Sequence, residues 1–205
     1  MSRRREWRWT RFAAMVLSAH LAGGCGGLRA GYFSRPYTGE APPPPRSAAN
    51  PAQRYDMERI RFPGLDMHLH LRNSYAASDT IWFGIELPMV PLRIKRYPRP
   101  DPARAPAGVD VELCLKVSAS DLAFELARAQ LSVDGVAHEP AAVHPPAPVV
   151  FTNGGRYTFT LHFDIPRPLP DRDIRLQLDK AIRHPGLEPF PEIRFRKTRW
   201  REPYS

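Results

Sequence analysis

The sequence predicts an all-β protein built as an antiparallel β-sandwich. Apolar and polar residues alternate over several long stretches, the pattern of a strand with one face on a core and the other in water. One-sided burial favours antiparallel sheets, because parallel strands are usually covered on both faces. Proline is frequent, with 24 in 205 residues, and proline breaks helix interiors. Hydrophobic residues make up 42% of the chain, which is enough for a core.

The clearest alternation marks five strands. Three are long, Leu65–Arg72, Val109–Val117 and Arg156–Ile165, and two are shorter, Ile174–Leu178 and Ile193–Phe195. We expect roughly six to nine short strands in total, joined by proline-rich corners.

The connections support the same architecture. Asp134–Gly135 separates Leu131–Val133 from Val136–His138, and this dipeptide favours the two-residue hairpin turn with positive φ at both positions. Ser120–Gln130 is rich in helix formers and begins with two capping residues, although some of its apolar residues also alternate. We predict a short helix or turn there. The overall strand pattern resembles an immunoglobulin-like sandwich; this is a resemblance of pattern and not of motif.

Residues 1–24 have the organisation of a secretory signal peptide. Several arginines precede a short apolar stretch, Phe12–Leu21, and small residues, Ala22–Gly24, follow it. A helix needs roughly 20 apolar residues to span a bilayer, so the stretch is too short for a membrane span.

The segment that follows resembles the lipobox of bacterial lipoproteins. It reads Leu21-Ala-Gly-Gly-Cys25. The resemblance implies cleavage before Cys25, whose thiol then carries diacylglycerol and whose new amine is acylated. Several acyl chains on one residue anchor a protein stably, whereas one chain is marginal.

The lipobox match departs from the usual pattern at one place. The family has an aliphatic residue three places before the cysteine, where this chain has Ala22, with Leu21 one step further away. An ordinary cleaved signal with a free Cys25 and an uncleaved anchor therefore stay as alternatives. Gly26, instead of Asp, follows the cysteine, which by the same resemblance implies an outer-membrane location facing the periplasm.

Three segments follow from these features. Residues 1–24 are predicted to be the signal peptide, residues 25–54 the lipidated cysteine with a flexible tether, and residues 55–205 the β-sandwich domain. The tether prediction rests on glycines and on consecutive prolines, Pro42–Pro45, which favour a stiff polyproline II spacer. A proline-rich docking motif is the alternative.

His68 and His70 are weak candidates for a metal site. At positions i and i+2 of a strand they share one face, and two imidazoles so placed can hold one metal. A third ligand would come from His138, His144, His162 or His184. Solvent-facing histidines are the other interpretation. A metal-dependent envelope hydrolase using His68 and His70 is the alternative function.

No residue is predicted to be catalytic, and no cofactor is predicted. Cys114 lies between Glu112 and Lys116, and a catalytic cysteine needs a positioned base that the sequence does not identify. No nucleophile elbow, phosphate loop or dinucleotide fingerprint occurs. We therefore predict a protein that is not an enzyme.

The positive charge gathers in one place near the C-terminus. The formal net charge is +9, but most basic residues are scattered, so no nucleic-acid partner is expected. The exception is a basic patch with aromatic residues among it: Arg194, Arg196, Lys197, Arg199 and Arg201. Such a run can bind lipid phosphates or an acidic glycan. Alternatively, the cations keep an edge strand from aggregating.

These features together predict a membrane-anchored envelope lipoprotein. Its domain would act as a non-enzymatic binding or structural module that presents loops or strand edges to an envelope protein or glycan. The membrane itself would be contacted through the lipid anchor.

Overall fold

The computed structural model describes residues 26–44, 46–83, 90–101, 104, 107–118, 122–146 and 154–204. The predicted signal peptide, residues 1–24, and the predicted lipidation site, Cys25, lie outside the described residues. None of the helical segments within the described ranges is long and apolar enough to cross a membrane.

The described chain is mostly β-strand, which confirms the all-β prediction. The strands are β1 (Gly26–Thr38), β2 (Ser47–Ala48), β3 (Arg59–Phe62), β4 (Leu65–Leu71), β5 (Tyr75–Phe83), β6 (Val90–Arg96), β7 (Ala107–Val117), β8 (Ala123–Phe124), β9 (Gln130–Val133), β10 (Val136–His138), β11 (Ala142–His144), β12 (Arg156–Pro166), β13 (Ile174–Gln177), β14 (Ile182–Arg183) and β15 (Ile193–Tyr204). An α-helix, α1 (Pro51–Met57), and a 3-10 turn, Leu126–Arg128, complete the described elements.

The strands form two large sheets and one small one. The eight-stranded sheet has the order β10-β9-β13-β15-β1-β5-β6, with β2 added beside β15. The five-stranded sheet has the order β11-β12-β7-β4-β3, and β8 pairs with β14. Among the described pairings, only that between β2 and β15 is parallel.

One hydrophobic cluster takes residues from both large sheets. The five-stranded sheet contributes apolar residues of β4, β7 and β12, among them Met67, Leu69, Leu113, Leu161 and Phe163. The eight-stranded sheet contributes Leu131, Ile174, Leu176, Ile193 and Phe195. Burying apolar surface is the main favourable term in folding, and in β4 every second residue is buried, as the alternation predicts.

The prediction of a flexible tether over residues 25–54 is wrong for the described residues that follow Cys25. Gly26–Thr38 is a strand in the interior of the eight-stranded sheet, between β15 and β5. Phe33 is 0% exposed and its neighbour Ser34 is 1% exposed. Because adjacent residues point to opposite faces, β1 is covered on both faces, and that removes the alternation by which a strand is recognised.

Two smaller elements also replace the predicted tether. β2 runs beside β15, and α1 begins after Asn50, whose side chain accepts a hydrogen bond of 2.8 Å from the backbone N–H of Gln53. That side-chain acceptor satisfies a donor that the first helical turn leaves free.

The turn predictions agree with the structure where residues are described. Asp134 and Gly135 have φ values of 52° and 85° and join β9 to β10. Within Ser120–Gln130, the described residues form β8 and the 3-10 turn, which confirms a short turn. The two expected capping residues of that segment, Ser120 and Asp121, lie outside the described residues.

The proposed edge-strand role of the basic C-terminal run is wrong at the residues where β15 is paired on both sides. β15 pairs with β1 along Ile193–Tyr204. On its other side β15 pairs with β13 at Ile193–Arg194 and with β2 at Arg199–Trp200. At those four residues β15 has no exposed ladder to protect. Along the rest of the run the described pairings cover one side of β15, and there the edge-strand interpretation stays a prediction.

Candidate functional site

The most buried titratable cluster surrounds Glu58, which the sequence analysis did not single out. Glu58 follows the last residue of α1 and is 4% exposed. Its Oε1 lies 2.8 Å from His70 Nδ1 and accepts a hydrogen bond of 3.2 Å from Arg54 Nε. Its Oε2 lies 3.3 Å from His68 Nε2, an ion-pair distance without hydrogen-bond alignment. One carboxylate therefore joins the helix to the outer face of the five-stranded sheet.

The β3–β4 hairpin brings these groups together. Arg59 pairs with His68 across the two strands, and the Glu58 carbonyl accepts a hydrogen bond of 2.9 Å from the Leu69 N–H. Tyr55 of α1 stacks on the His68 ring, with 3.8 Å between ring centroids. The helix end, the hairpin and both imidazoles are thus held as one unit.

The electrostatics keep Glu58 ionised. Burial by itself raises the pKa of a carboxyl group, because it penalises the charged form. The contacts with His68 and His70, together with the charges of His70 and Arg54, outweigh burial and lower the pKa of Glu58 to about 2. A carboxylate with so low a pKa is a poor proton donor or acceptor near neutral pH, so the cluster is suited to holding structure.

The two histidines considered as metal ligands therefore contact a carboxylate group, that of Glu58. His68 and His70 do share the outer face of β4, but both turn toward Glu58. No group of three or more His, Cys, Asp or Glu residues placed to hold a metal occurs among the described residues.

The four histidines considered as third ligands lie elsewhere. His162 Nδ1 lies 2.8 Å from Asp110 Oδ1. His184 contacts the backbone carbonyl of Pro185 at 2.9 Å. His138 lies in β10, a strand of the other large sheet, and His144 lies in β11. The fold does not bring these residues to the histidine pair.

Cys114 faces the same surface as His68. It lies opposite His68 on one side and opposite Thr158 on the other, and the Thr158 hydroxyl donates to its sulfur at 3.5 Å. A depression of about 460 Å³ includes Cys114, His68 and Tyr55 in its lining. Among the described residues, the hydrogen bond to Cys114 comes from the Thr158 hydroxyl, and a hydroxyl is not the base that a nucleophilic cysteine needs.

Strand alternation divides the predicted basic patch between two faces of the sheet. Lys197, Arg199 and Arg201 lie on one face of β15, and Arg194 and Arg196 on the other. Lys197, Arg199 and Arg201 are exposed, and no ion pair to them is found among the described residues.

Arg194 and Arg196 are held by their neighbours. Arg194 Nε donates to Glu192 Oε1 at 2.8 Å, and Arg196 donates to the backbone carbonyl of Pro43. Arg35 lies opposite Arg196 on β1. Burial, and the charges of Arg46 and Arg196, lower the pKa of Arg35. Arg194 and Arg196 are therefore tied to neighbouring groups, on the face of β15 opposite to the core residues Ile193 and Phe195.

Sequence reasoning missed Glu58 because the residue lies outside every alternating stretch. The spacing of His68 and His70 indicates a shared partner, and Pro63–Gly64 is a turn signal that would fold upstream residues onto β4. Nothing in the sequence distinguishes Glu58 from the other acids near that turn. Comparison of the chain with known protein families, curated proteins and solved structures gave no match.

Proposed function

We propose that this protein is a membrane-anchored lipoprotein of the bacterial cell envelope whose β domain is a non-enzymatic binding or structural module. The observation that carries the proposal is the sequence Leu21-Ala-Gly-Gly-Cys25 after a basic and apolar leader. Acylation of Cys25 would give a stable anchor, because several chains would be buried in the bilayer. We place the anchor in the outer membrane, facing the periplasm.

The described fold is compatible with this proposal. Cleavage before Cys25 would leave every described element of the domain intact, because β1 begins at Gly26. The non-enzymatic part is supported by the Glu58 cluster, whose titratable groups are committed to one another, and by the lack of a recognisable catalytic motif in the sequence.

Cys25→Ala is expected to abolish lipidation. Cells grown with labelled palmitate should label the wild-type protein, and the variant should carry no label and leave the membrane fraction. Cys114→Ala is the matched control, because this second cysteine lies within β7, and it should label as the wild type does. Unchanged labelling or membrane retention of Cys25→Ala would exclude the anchor.

The partner is proposed to be an envelope protein or glycan, with no nucleic acid. Crosslinking in intact cells, followed by identification of the captured molecule, tests the binding role. The same experiment with a Cys25→Ala variant shows whether capture depends on membrane attachment.

We also propose that the two large sheets form an immunoglobulin-like sandwich. The support is that both sheets are antiparallel apart from β2 and contribute to one buried cluster, which is how the two layers of such a sandwich share a core. An experimental structure that shows the sheets packed face to face with this strand order would test the assignment.

Metal analysis separates the binding module from the alternative, a metal-dependent hydrolase at His68 and His70. The purified protein is expected to contain less than stoichiometric zinc, because both imidazoles contact Glu58 and no group of three such side chains in the described ranges is placed to hold a metal. Stoichiometric zinc that is lost in His68→Ala and His70→Ala would favour the hydrolase.

A further inference from the structure

We propose that one face of the eight-stranded sheet, beside Ala30–Ser34 of β1, lies directly on the headgroups of an anionic lipid surface. The face consists of Arg96, Lys197, Arg199 and Arg201, and we call it the cationic face. The inference rests on the proposed function, because the acylated Cys25 is what brings this part of the domain to a bilayer.

Chain connectivity brings the start of the strand that carries the cationic face to the proposed anchor. Gly26 pairs with Trp82 of β5, and Gly27 pairs with Tyr204 of β15. Consecutive Cα atoms are 3.8 Å apart. Cys25 is therefore one residue away from a strand, β1, that is already paired on both sides. A flexible tether would let the domain move away from its anchor, but here the described chain enters a strand immediately.

The pairing register of the strands puts the four cations on one face of the sheet. Ala30 of β1 lies opposite Arg201 on one side and opposite Ser78 of β5 on the other, and Ser78 lies opposite Arg96 of β6. Residues directly opposite one another in antiparallel strands share a face, so Arg201 and Arg96 do. Lys197 and Arg199 join Arg201 by alternation along β15.

The two acids of the next cross-strand row lie on the opposite face. Glu202, Arg29, Asp79 and Lys95 form the next cross-strand row, which alternation turns away from the cationic face. Asp79 is 8% exposed, and its Oδ1 accepts a hydrogen bond of 3.0 Å from Arg29. Neither acid neutralises the four cations of the cationic face.

Aromatic and apolar contacts suit the same face to an interface. Lys197 Nζ lies 4.3 Å from the centre of the Tyr32 ring, which holds its stem along the sheet. Ile94 lies opposite Thr80 in a neighbouring row of the same face and is 58% exposed. An exposed isoleucine among these cations suits the boundary between headgroups and acyl chains, where apolar burial and charge attraction act together.

A lipid surface fits these observations better than other polyanions. A nucleic acid or an acidic glycan offers the same charge, but neither is brought to this sheet by the chain's own anchor, five residues before Ala30. Each cation near an anionic surface strengthens binding about five-fold. Four of them would hold the domain in one orientation on a bilayer that already contains its anchor.

Vesicle sedimentation tests the cationic face without the acyl chains. The full chain with Cys25→Ser is mixed with vesicles of phosphatidylcholine alone or with added phosphatidylglycerol. We expect binding to the anionic vesicles that weakens as salt is added. Arg199→Glu combined with Arg201→Glu should weaken that binding by about ten-fold or more.

The matched control reverses the charge of two other basic residues. Arg61→Glu combined with Arg156→Glu makes the same change in net charge, on exposed residues of the five-stranded sheet. This variant should bind within about two-fold of the parent, and the leader is identical in every variant. Equal loss in both double variants, or equal binding to both kinds of vesicle, would overturn the proposal.

The outcome of the vesicle experiment can be separated from the outcome of the palmitate-labelling experiment on Cys25. If Cys25 is not labelled by palmitate but the cationic face still prefers anionic vesicles, the anchor is wrong and the lipid-binding surface stands. If Cys25 is labelled and the reversal changes nothing, the anchor stands and the cationic face is wrong. Retention on an immobilised anionic polysaccharide without vesicle binding would also overturn the lipid assignment.

Discussion

Gly31→Ala is expected to destabilise the domain by at least about 3 kcal/mol or to prevent its folding. A Cβ atom at this position would lie 2.0 Å from the backbone oxygen of Tyr75 and 2.6 Å from the Trp200 ring. The Tyr75 oxygen belongs to the neighbouring strand, so it cannot move aside as a flexible side chain can. Urea unfolding followed by circular dichroism measures the loss.

Gly26→Ala is the control in the same strand. A Cβ atom there meets nothing within 4 Å, so the change in unfolding free energy should stay within about 1 kcal/mol. An unchanged unfolding transition for Gly31→Ala would mean that β1 is not paired in the sheet. The direct link between Cys25 and the sheet, on which the cationic face depends, would then be lost as well.

Glu58→Gln is expected to cost about 3 kcal/mol of unfolding free energy at neutral pH. The substitution keeps the size of the side chain but removes the charge that compensates Arg54 and contacts both imidazoles. Groups left buried without their partner bear the full cost of lost hydration. Urea unfolding at pH 7 measures the difference.

Urea unfolding of the wild type and Glu58→Gln at several pH values tests whether the charge of Glu58 causes the difference in stability. The pKa of Glu58 is lowered from 4.5 to about 2 on folding, so its contribution to stability is fully present above about pH 4.5. That contribution, about 3 kcal/mol by linkage, is lost as the pH falls toward 2. The wild type and Glu58→Gln should therefore differ most at pH 7 and converge near pH 2.

Glu125→Gln provides the comparison for an exposed carboxylate. Glu125 forms ion pairs with Arg128 and Arg183, but its side chain is 48% exposed. Exposed pairs contribute little because water and salt screen them. A loss for Glu125→Gln as large as that for Glu58→Gln would show that burial of Glu58 is not what makes its ion pairs strong.

The strands with one buried face were predictable from the sequence. The alternation in Leu65–Arg72, Val109–Val117 and Arg156–Ile165 corresponds to β4, β7 and β12. Each of these strands has the core on one side and a polar outer face on the other, so its pattern records its environment directly. The Asp134–Gly135 hairpin was predictable for a local reason, the positive φ at both residues.

The strand nearest the predicted anchor was not predictable in this way. β1 contains two consecutive glycines and Pro36, and it is buried on both faces, so it shows neither alternation nor high strand propensity. It is held by pairing with β15 and β5. These partners are distant in the sequence, so the local pattern of β1 does not reveal the strand. The Glu58 cluster is similar, because an acid beside a turn becomes distinctive only when the hairpin folds it against two histidines.

The pairing of β1 with β15 has a consequence for how the protein matures. Gly27 lies opposite Tyr204 and Thr38 lies opposite Ile193, so the interior of the large sheet cannot close until both segments are available. A chain that crosses a membrane from its amino end would remain open through most of its passage, and closure would wait for distant residues. Removal of β15 should leave two strand edges unpaired at once, which makes truncated chains candidates for aggregation and proteolysis.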